Sequence, residues 1–127
     1  WTNGGPGCSG LLGLYTEFGP WRASANLSLI RNPFSWTKYA NIVFLEQPVG
    51  VGFSYTSIPG IGYNDYMASK DNLRAISAFF EKFPERAGNG FYLASESYGG
   101  HYIPQWTLQV LNDPTTRVHF KGYLLGK

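Results

Sequence analysis

Two stretches of this sequence carry residue types suited to acyl chemistry. The first is Phe91-Tyr-Leu-Ala-Ser-Glu-Ser-Tyr-Gly-Gly100. Ser97 stands at its centre, with Ser95 two residues before it and Gly99 two after, and these small flanks let the backbone double back closely. A serine at the apex of a strand–turn–helix presents its Oγ as a nucleophile. The N-terminus of the following helix adds N–H groups and a dipole that favour negative charge. The N–H of Tyr98 would then be one donor to an oxyanion. An ordinary serine in a strand–helix turn gives the same short pattern, and Ser-x-Ser-x-Gly alone does not separate the two. The second stretch is Asn3-Gly4-Gly5-Pro6-Gly7. Its glycines tolerate positive φ and expose backbone amides. An oxyanion hole needs a second donor from such a loop. A generic turn is the plainer account of Gly-Gly-Pro-Gly, but both features on one short frame favour the catalytic one.

The elements that must position these residues follow from periodicity. Residues 1–10 read as a Gly/Pro-rich loop. Asn41–Leu45 is a short apolar run suited to a buried strand, and Gly50 to Gly62 is glycine-punctuated loop. Asp65 is placed to cap a helix whose Leu73, Ile76, Phe80 and Phe83 share one face until Pro84. Phe91–Ala94 is the next strand. A second helix is expected from about Tyr98 to Leu111, with a kink or restart at Pro104. Val118–Leu125 reads as a third strand, with Gly122 its weak point. Strands alternating with helices predict βαβ units and a parallel sheet covered on both faces. Functional groups in such an α/β fold gather at the carboxyl ends of the strands, where Ser97 stands.

A nucleophilic serine needs a base oriented by a carboxylate. The chain has two histidines. His101 lies on the helix leaving the turn and His119 in the last strand; both read as structural side chains. In α/β-hydrolases the chain order is Ser, then Asp, then His. The triad Asp and His are therefore expected after Lys127. Asp65 reads as a cap, Asp71 as a helix-surface residue and Asp113 as a turn residue. The His and Cys spacings give no metal site, and no cofactor is expected.

With 127 residues the chain is sized for one domain. Hydrophobic residues are 43% and aromatics 17%, but charged residues only 14%. A surface so poor in charge suggests cover from further sequence or a partner. Net charge is +2, with basic residues scattered, so nucleic acid is an unsuited partner. No apolar run approaches the roughly 20 residues needed to span a membrane. The opening Trp-Thr-Asn-Gly-Gly lacks a signal peptide and reads as the middle of a protein. Cys8, the single cysteine, suits a buried thiol, a nucleophile or half of a disulfide. Asn26-Leu27-Ser28 is a glycosylation sequon.

Three longer motifs carry a family resemblance: Trp1-Thr-Asn-Gly-Gly-Pro-Gly-Cys-Ser9, Phe44-Leu-Glu-Gln-Pro-Val-Gly-Val-Gly-Phe-Ser-Tyr55 and Glu96-Ser-Tyr-Gly-Gly-His-Tyr-Ile-Pro104, with Asn32-Pro-Phe-Ser-Trp36 beside them. The chain resembles the serine carboxypeptidases over nearly its whole length. The resemblance implies an α/β-hydrolase fold, with residues 1–127 an incomplete N-terminal and central part of one catalytic domain, truncated at both ends. It implies release of single amino acids from peptide C-termini through an acyl-enzyme at acidic pH, in a lysosome or vacuole or outside the cell. By the same match Ser97 is the nucleophile, and the Gly5 and Tyr98 amides form the oxyanion hole. Asn3 and the Gly4 amide hold the substrate's terminal carboxylate with Glu17 and Glu96 beside them, and Cys8 pairs with a cysteine elsewhere. Two positions depart from the family pattern. Ser95 replaces a glycine and Gly99 an alanine, and strain in the turn is expected from Ser95.

An exopeptidase must bind a free carboxylate. Two close carboxyls cannot both ionise cheaply, so one holds a proton and can donate a hydrogen bond to that carboxylate. Without the resemblance, Glu96 reads as a carboxylate near a helix N-terminus and Glu17 as a solvated residue. An acyltransferase that resolves the acyl-enzyme with an alcohol, and a catalytically inert binding relative, use the same residues and stay open. Trp21, Tyr55, Tyr98 and Trp106 suit either a hydrophobic pocket or the core.

Overall fold

The computed structural model describes all 127 residues, Trp1–Lys127. Its centre is a parallel pair of strands with helices packed on it. Strand β3, Gly90–Glu96, runs beside β4, His119–Gly126, in register from Gly90↔His119 to Glu96↔Gly126. The register slips by one residue after Phe91, because Tyr92 pairs with Gly122 and Lys121 is passed over. Gly122 has φ +154°, so the weak point in the sequence is where the ladder bulges. Helix α2, Gly99–Asn112, connects the two strands, and helix α1, Asp65–Lys82, packs against α2. A hairpin of β1, Trp21–Ala23, and β2, Leu29–Arg31, stands apart from this unit.

Helix α1 is capped by Asn64 rather than Asp65. The Asn64 side chain accepts from the Met67 N–H at 3.0 Å, while Asp65 lies in the first turn. Either residue type caps well, and adjacency alone does not separate them. The apolar face lands as the periodicity requires for three of its four residues, whereas Phe83 caps the C-terminus outside the helix and is exposed. Ile76 is buried, Leu73 and Phe80 pack beside it, and the helix stops at Lys82, ahead of Pro84.

Helix α2 supplies most of the core. Tyr102, Ile103, Trp106 and Val110 form a cluster with Ile76 and Leu93, and Phe91, Val118 and Phe120 close over it. Spacings of three and four residues put these α2 side chains on one face. Trp106 is thus core, not pocket lining, and truncating a residue such as the fully buried Ile103 to Ala would cost about 2–5 kcal/mol. The helix runs unbroken through Pro104, so no restart occurs there. Pro104 is the sixth residue, so it forfeits one hydrogen bond, toward Gly100, near the N-terminal end.

Asn41–Leu45 does not form a regular strand. It runs beside the first residues of the chain, held by Leu45 N–H donating to Trp1 C=O at 2.8 Å and by the Trp1 amino group donating to Val43 C=O. On the other side, Thr2 N–H donates to Ala94 C=O at 3.3 Å. Residues 1–3 are therefore wedged between 43–45 and β3 by isolated hydrogen bonds, and this wedge carries the glycine loop to the end of β3.

Only 22 of 127 residues are buried, while Phe34, Tyr39, Phe53 and Tyr55 are each exposed by three-quarters or more. The sparse charge noted in the sequence has its counterpart in this apolar surface.

Candidate active site

Ser97 sits at the apex between the last residue of β3 and the first of α2. Its φ is +53°, a left-handed conformation that costs a non-glycine residue of order 1–3 kcal/mol. Two backbone hydrogen bonds hold it there. Ser97 N–H donates to Gly126 C=O at the end of β4 at 3.1 Å, and Gly100 N–H donates to Ser97 C=O at 3.0 Å. The serine is exposed at the N-terminus of α2. The N–H of Tyr98 donates to no group of the chain. An exposed hydroxyl above uncommitted helix N-terminal amides can attack a carbonyl carbon and stabilise the charge that develops.

The glycine loop lies directly against this turn. A Cβ added to Gly4 would stand 2.6 Å from Glu96 C=O, 2.7 Å from Tyr98 N and 3.0 Å from Ser97 Cβ. Backbone therefore meets backbone here, which any side chain at position 4 would prevent. The loop turns as Cys8 N–H donates to Gly4 C=O at 3.1 Å, with Gly5 at φ +117° and Gly7 at φ +90°. The Gly5 N–H, like that of Tyr98, donates to no group of the chain.

Beneath the loop, Asn3 is buried and all its polar positions are used. Its Oδ1 accepts from Trp1 Nε1 at 2.9 Å and from Gly13 N–H at 3.1 Å. Two donors on Oδ1 leave one orientation for the amide, so Nδ2 must face the other way. There it donates to Glu17 Oε1 at 3.2 Å and Glu96 Oε1 at 3.1 Å. Burial, and then the charge of Glu96, push the Glu17 carboxyl above its ordinary range, against the opposing hydrogen bond from Asn3. Glu17 ends a π-helical turn, Gly13–Glu17. Its backbone carbonyl is gripped by Arg22 Nη2 at 2.7 Å and Asn32 Nδ2 at 3.2 Å, which holds the backbone from which its side chain projects. It is a half-buried residue in a polar cluster, not a solvated one.

Ser97, Tyr98, Gly4, Glu96, Asn3 and Glu17 thus form one continuous set of contacts, with Gly5 in the same loop. The backbone at Ser95 itself is not left-handed. Ser95 is buried, and its Oγ donates to Thr2 C=O at 2.7 Å, in space that Gly99 leaves clear. The strained residue is Ser97 itself.

Other candidates lie apart. His101 is exposed on α2 with its ring 4.6 Å from that of Tyr98, and His119 is exposed on β4; neither hydrogen-bonds Ser97. Asp65 accepts from the Tyr98 hydroxyl at 2.9 Å, Asp71 pairs with Arg74 at 2.8 Å, and Asp113 accepts from Thr115 and Thr116. Cys8 is a half-buried free thiol. Asn26 is exposed at the tip between β1 and β2, its Oδ1 engaged by Ser28 N–H at 3.2 Å. No helix is long and apolar enough to cross a membrane. Of the residues that orient Asn3 and Glu17, Trp1 and Asn32 stand in the resemblance motifs without an assigned role, and Gly13 and Arg22 had no sequence signal.

The chain is similar to known proteins in both sequence and fold. The family model for serine carboxypeptidases, Peptidase_S10, matches residues 1–127. The chain is 44% identical over 127 residues to carboxypeptidase Y homolog A of Trichophyton verrucosum, and 44% identical over 126 residues to that of Botryotinia fuckeliana. Each alignment covers 99% of this chain and 23% of the relative, so the chain spans about a quarter of their length. The fold superimposes on Kex1Δp, a prohormone-processing carboxypeptidase from Saccharomyces cerevisiae, with a TM-score of 0.88 and 29% identity. That match covers all of this chain and 30% of the yeast protein. The parallel sheet with its serine turn is thus a portion of an α/β-hydrolase fold, and the chain belongs to the serine carboxypeptidase family.

Proposed function

We propose that this chain is part of a serine-type carboxypeptidase that cleaves single residues from peptide C-termini through an acyl-enzyme at acidic pH. The observation that carries the reading is the carboxyl pair on Asn3, set against the serine turn. A protonated carboxyl donates to the terminal carboxylate of a peptide, where an ionised one repels it, so the cluster selects a free C-terminus near Ser97.

The chemistry follows from the geometry. Ser97 Oγ attacks the carbonyl carbon of the last peptide bond and passes its proton to a histidine base from the remainder of the protein, after Lys127, where the triad Asp also lies. The Gly5 and Tyr98 amides receive the oxyanion. The C–N bond breaks, the base returns the proton to the leaving amine, and the terminal amino acid departs. Water, deprotonated by the same base, then hydrolyses the Ser97 ester. Residues 1–127 alone lack the base and turn over peptide negligibly. The exposed sequon at Asn26 and the Cys8 thiol suit a glycosylated, disulfide-bonded protein of a vacuole, a lysosome or the exterior.

The test is a pair of blocked peptides, one with a free and one with an amidated C-terminus, given to the full-length protein at acidic pH. Release of the last residue from the free acid alone supports the reading; equal cleavage of both, or of neither, contradicts it.

A further inference from the structure

Ser95 and Gly99 flank Ser97 symmetrically, and the structure places them in contact beneath it. A Cβ built on Gly99 would overlap both the Oγ and the Cβ of Ser95, well inside van der Waals distance. There is room for one side chain between these positions, and Ser95 fills it. Its relative exposure is 1%, so no solvent-side rotamer relieves a clash.

The hydroxyl that occupies this space reaches across to the neighbouring segment. Ser95 Oγ donates to Thr2 C=O at 2.7 Å. Thr2 is fully buried and directly precedes Asn3-Gly4, whose backbone abuts Glu96 C=O and Tyr98 N. Two other hydrogen bonds join this segment to β3, from Thr2 N–H to Ala94 C=O at 3.3 Å and from Asn3 Nδ2 to Glu96 Oε1 at 3.1 Å. The Ser95 hydroxyl is thus the shortest of three ties that fix the glycine loop against the serine turn.

We infer that Ser95 is a positioning residue that sets the gap between the Ser97 turn and the Asn3–Gly7 loop, and that Ser95 and Gly99 form one packing unit in which position 99 takes a side chain only when position 95 gives up its own. The catalytic half of this inference rests on the proposed function; the packing half does not.

The experiment compares Ser95→Ala, Gly99→Ala, Ser95→Gly/Gly99→Ala and Ser95→Ala/Gly99→Ala in the full-length protein. Thermal unfolding, peptidase kinetics and the rate of labelling by a fluorophosphonate are measured for each. Gly99→Ala forces the turn apart and lowers kcat about 100-fold, the scale of a misplacement near 1 Å. Ser95→Gly removes both overlapping atoms, so Ser95→Gly/Gly99→Ala regains Tm and recovers kcat to within about tenfold of wild type. Ser95→Ala/Gly99→Ala stays impaired, because the Cβ at position 95 still overlaps the new methyl. Ser95→Ala alone keeps the packing and loses the tie, which lowers kcat and labelling about tenfold with KM little changed. Equal damage in Gly99→Ala and Ser95→Gly/Gly99→Ala, or rescue by Ser95→Ala as good as by Ser95→Gly, overturns the packing unit. Wild-type kcat and labelling in Ser95→Ala overturn the positioning role. A wild-type protein that neither labels nor cleaves refutes the proposed function and the positioning role together, while the Tm comparison still decides the packing unit.

Discussion

Glu17 and Glu96 converge on one amide: Asn3 Nδ2 donates to an Oε1 of each, at 3.2 and 3.1 Å. The two glutamates come from segments 79 positions apart in numbering, and a fully hydrogen-bonded asparagine joins them beside Ser97. From this arrangement comes a carboxyl that keeps its proton above the ordinary range.

That proton makes peptide binding pH-dependent. Burial and the Glu96 charge raise Glu17, so the protonated form persists above the ordinary carboxylate value and is lost as pH rises through the raised one. KM for a free-acid peptide should therefore climb across that interval. Glu17→Gln cannot titrate and should flatten the climb, and Glu96→Gln, by removing the raising charge, should shift it. KM measured against pH for all three proteins checks this; superimposable profiles contradict it.

The same shift bears on stability. A carboxyl whose folded pKa exceeds its unfolded value binds protons more tightly in the native state, so its contribution is present at low pH and falls as pH rises from about 4.3. Glu17→Gln should remove that part of the slope. Unfolding midpoints collected from acidic to neutral pH should show the variant losing less stability than wild type.

Asn3→Ala should damage fold and binding together. It leaves the Trp1 indole N–H and the Gly13 N–H without their acceptor, at a cost of about 1–3 kcal/mol for a buried donor, and frees both glutamates. Denaturant unfolding should show the loss, and KM for a peptide should rise more than kcat falls.

Gly4→Ala tests the contact of loop and turn. Its methyl would meet the backbone at Glu96 and Tyr98, which cannot move aside as a flexible side chain would. The loop must retreat from Ser97, and kcat should fall about 100-fold. Tyr98→Phe is the matched control: it deletes the hydroxyl that donates to Asp65 but keeps the backbone N–H, so kcat should stay within about threefold of wild type. Steady-state kinetics of both variants decide the point.

The helices and parallel strands were legible from periodicity because their apolar faces are set by 3.6- and 2-residue repeats, and Gly122 marked its bulge. Asn41–Leu45 misled because an apolar run reports burial, while a strand needs a continuous ladder; here the neighbour is a three-residue wedge. Ser97 was legible because its turn is built from residues adjacent in sequence. The Asn3–Glu17–Glu96 cluster was reached only through family resemblance, since its members are far apart and each alone is an ordinary polar residue. The grip of Arg22 and Asn32 on Glu17 was not legible, although Asn32 stands in a quoted motif, because it runs through a backbone carbonyl that any residue provides.

The most direct test of Ser97 as the nucleophile is covalent labelling of the full-length protein by a fluorophosphonate, with the modified residue mapped by mass spectrometry. One adduct is expected, on Ser97, formed at a rate that parallels peptidase activity and absent in Ser97→Ala. An adduct elsewhere, or undiminished peptide cleavage by Ser97→Ala, would contradict that role.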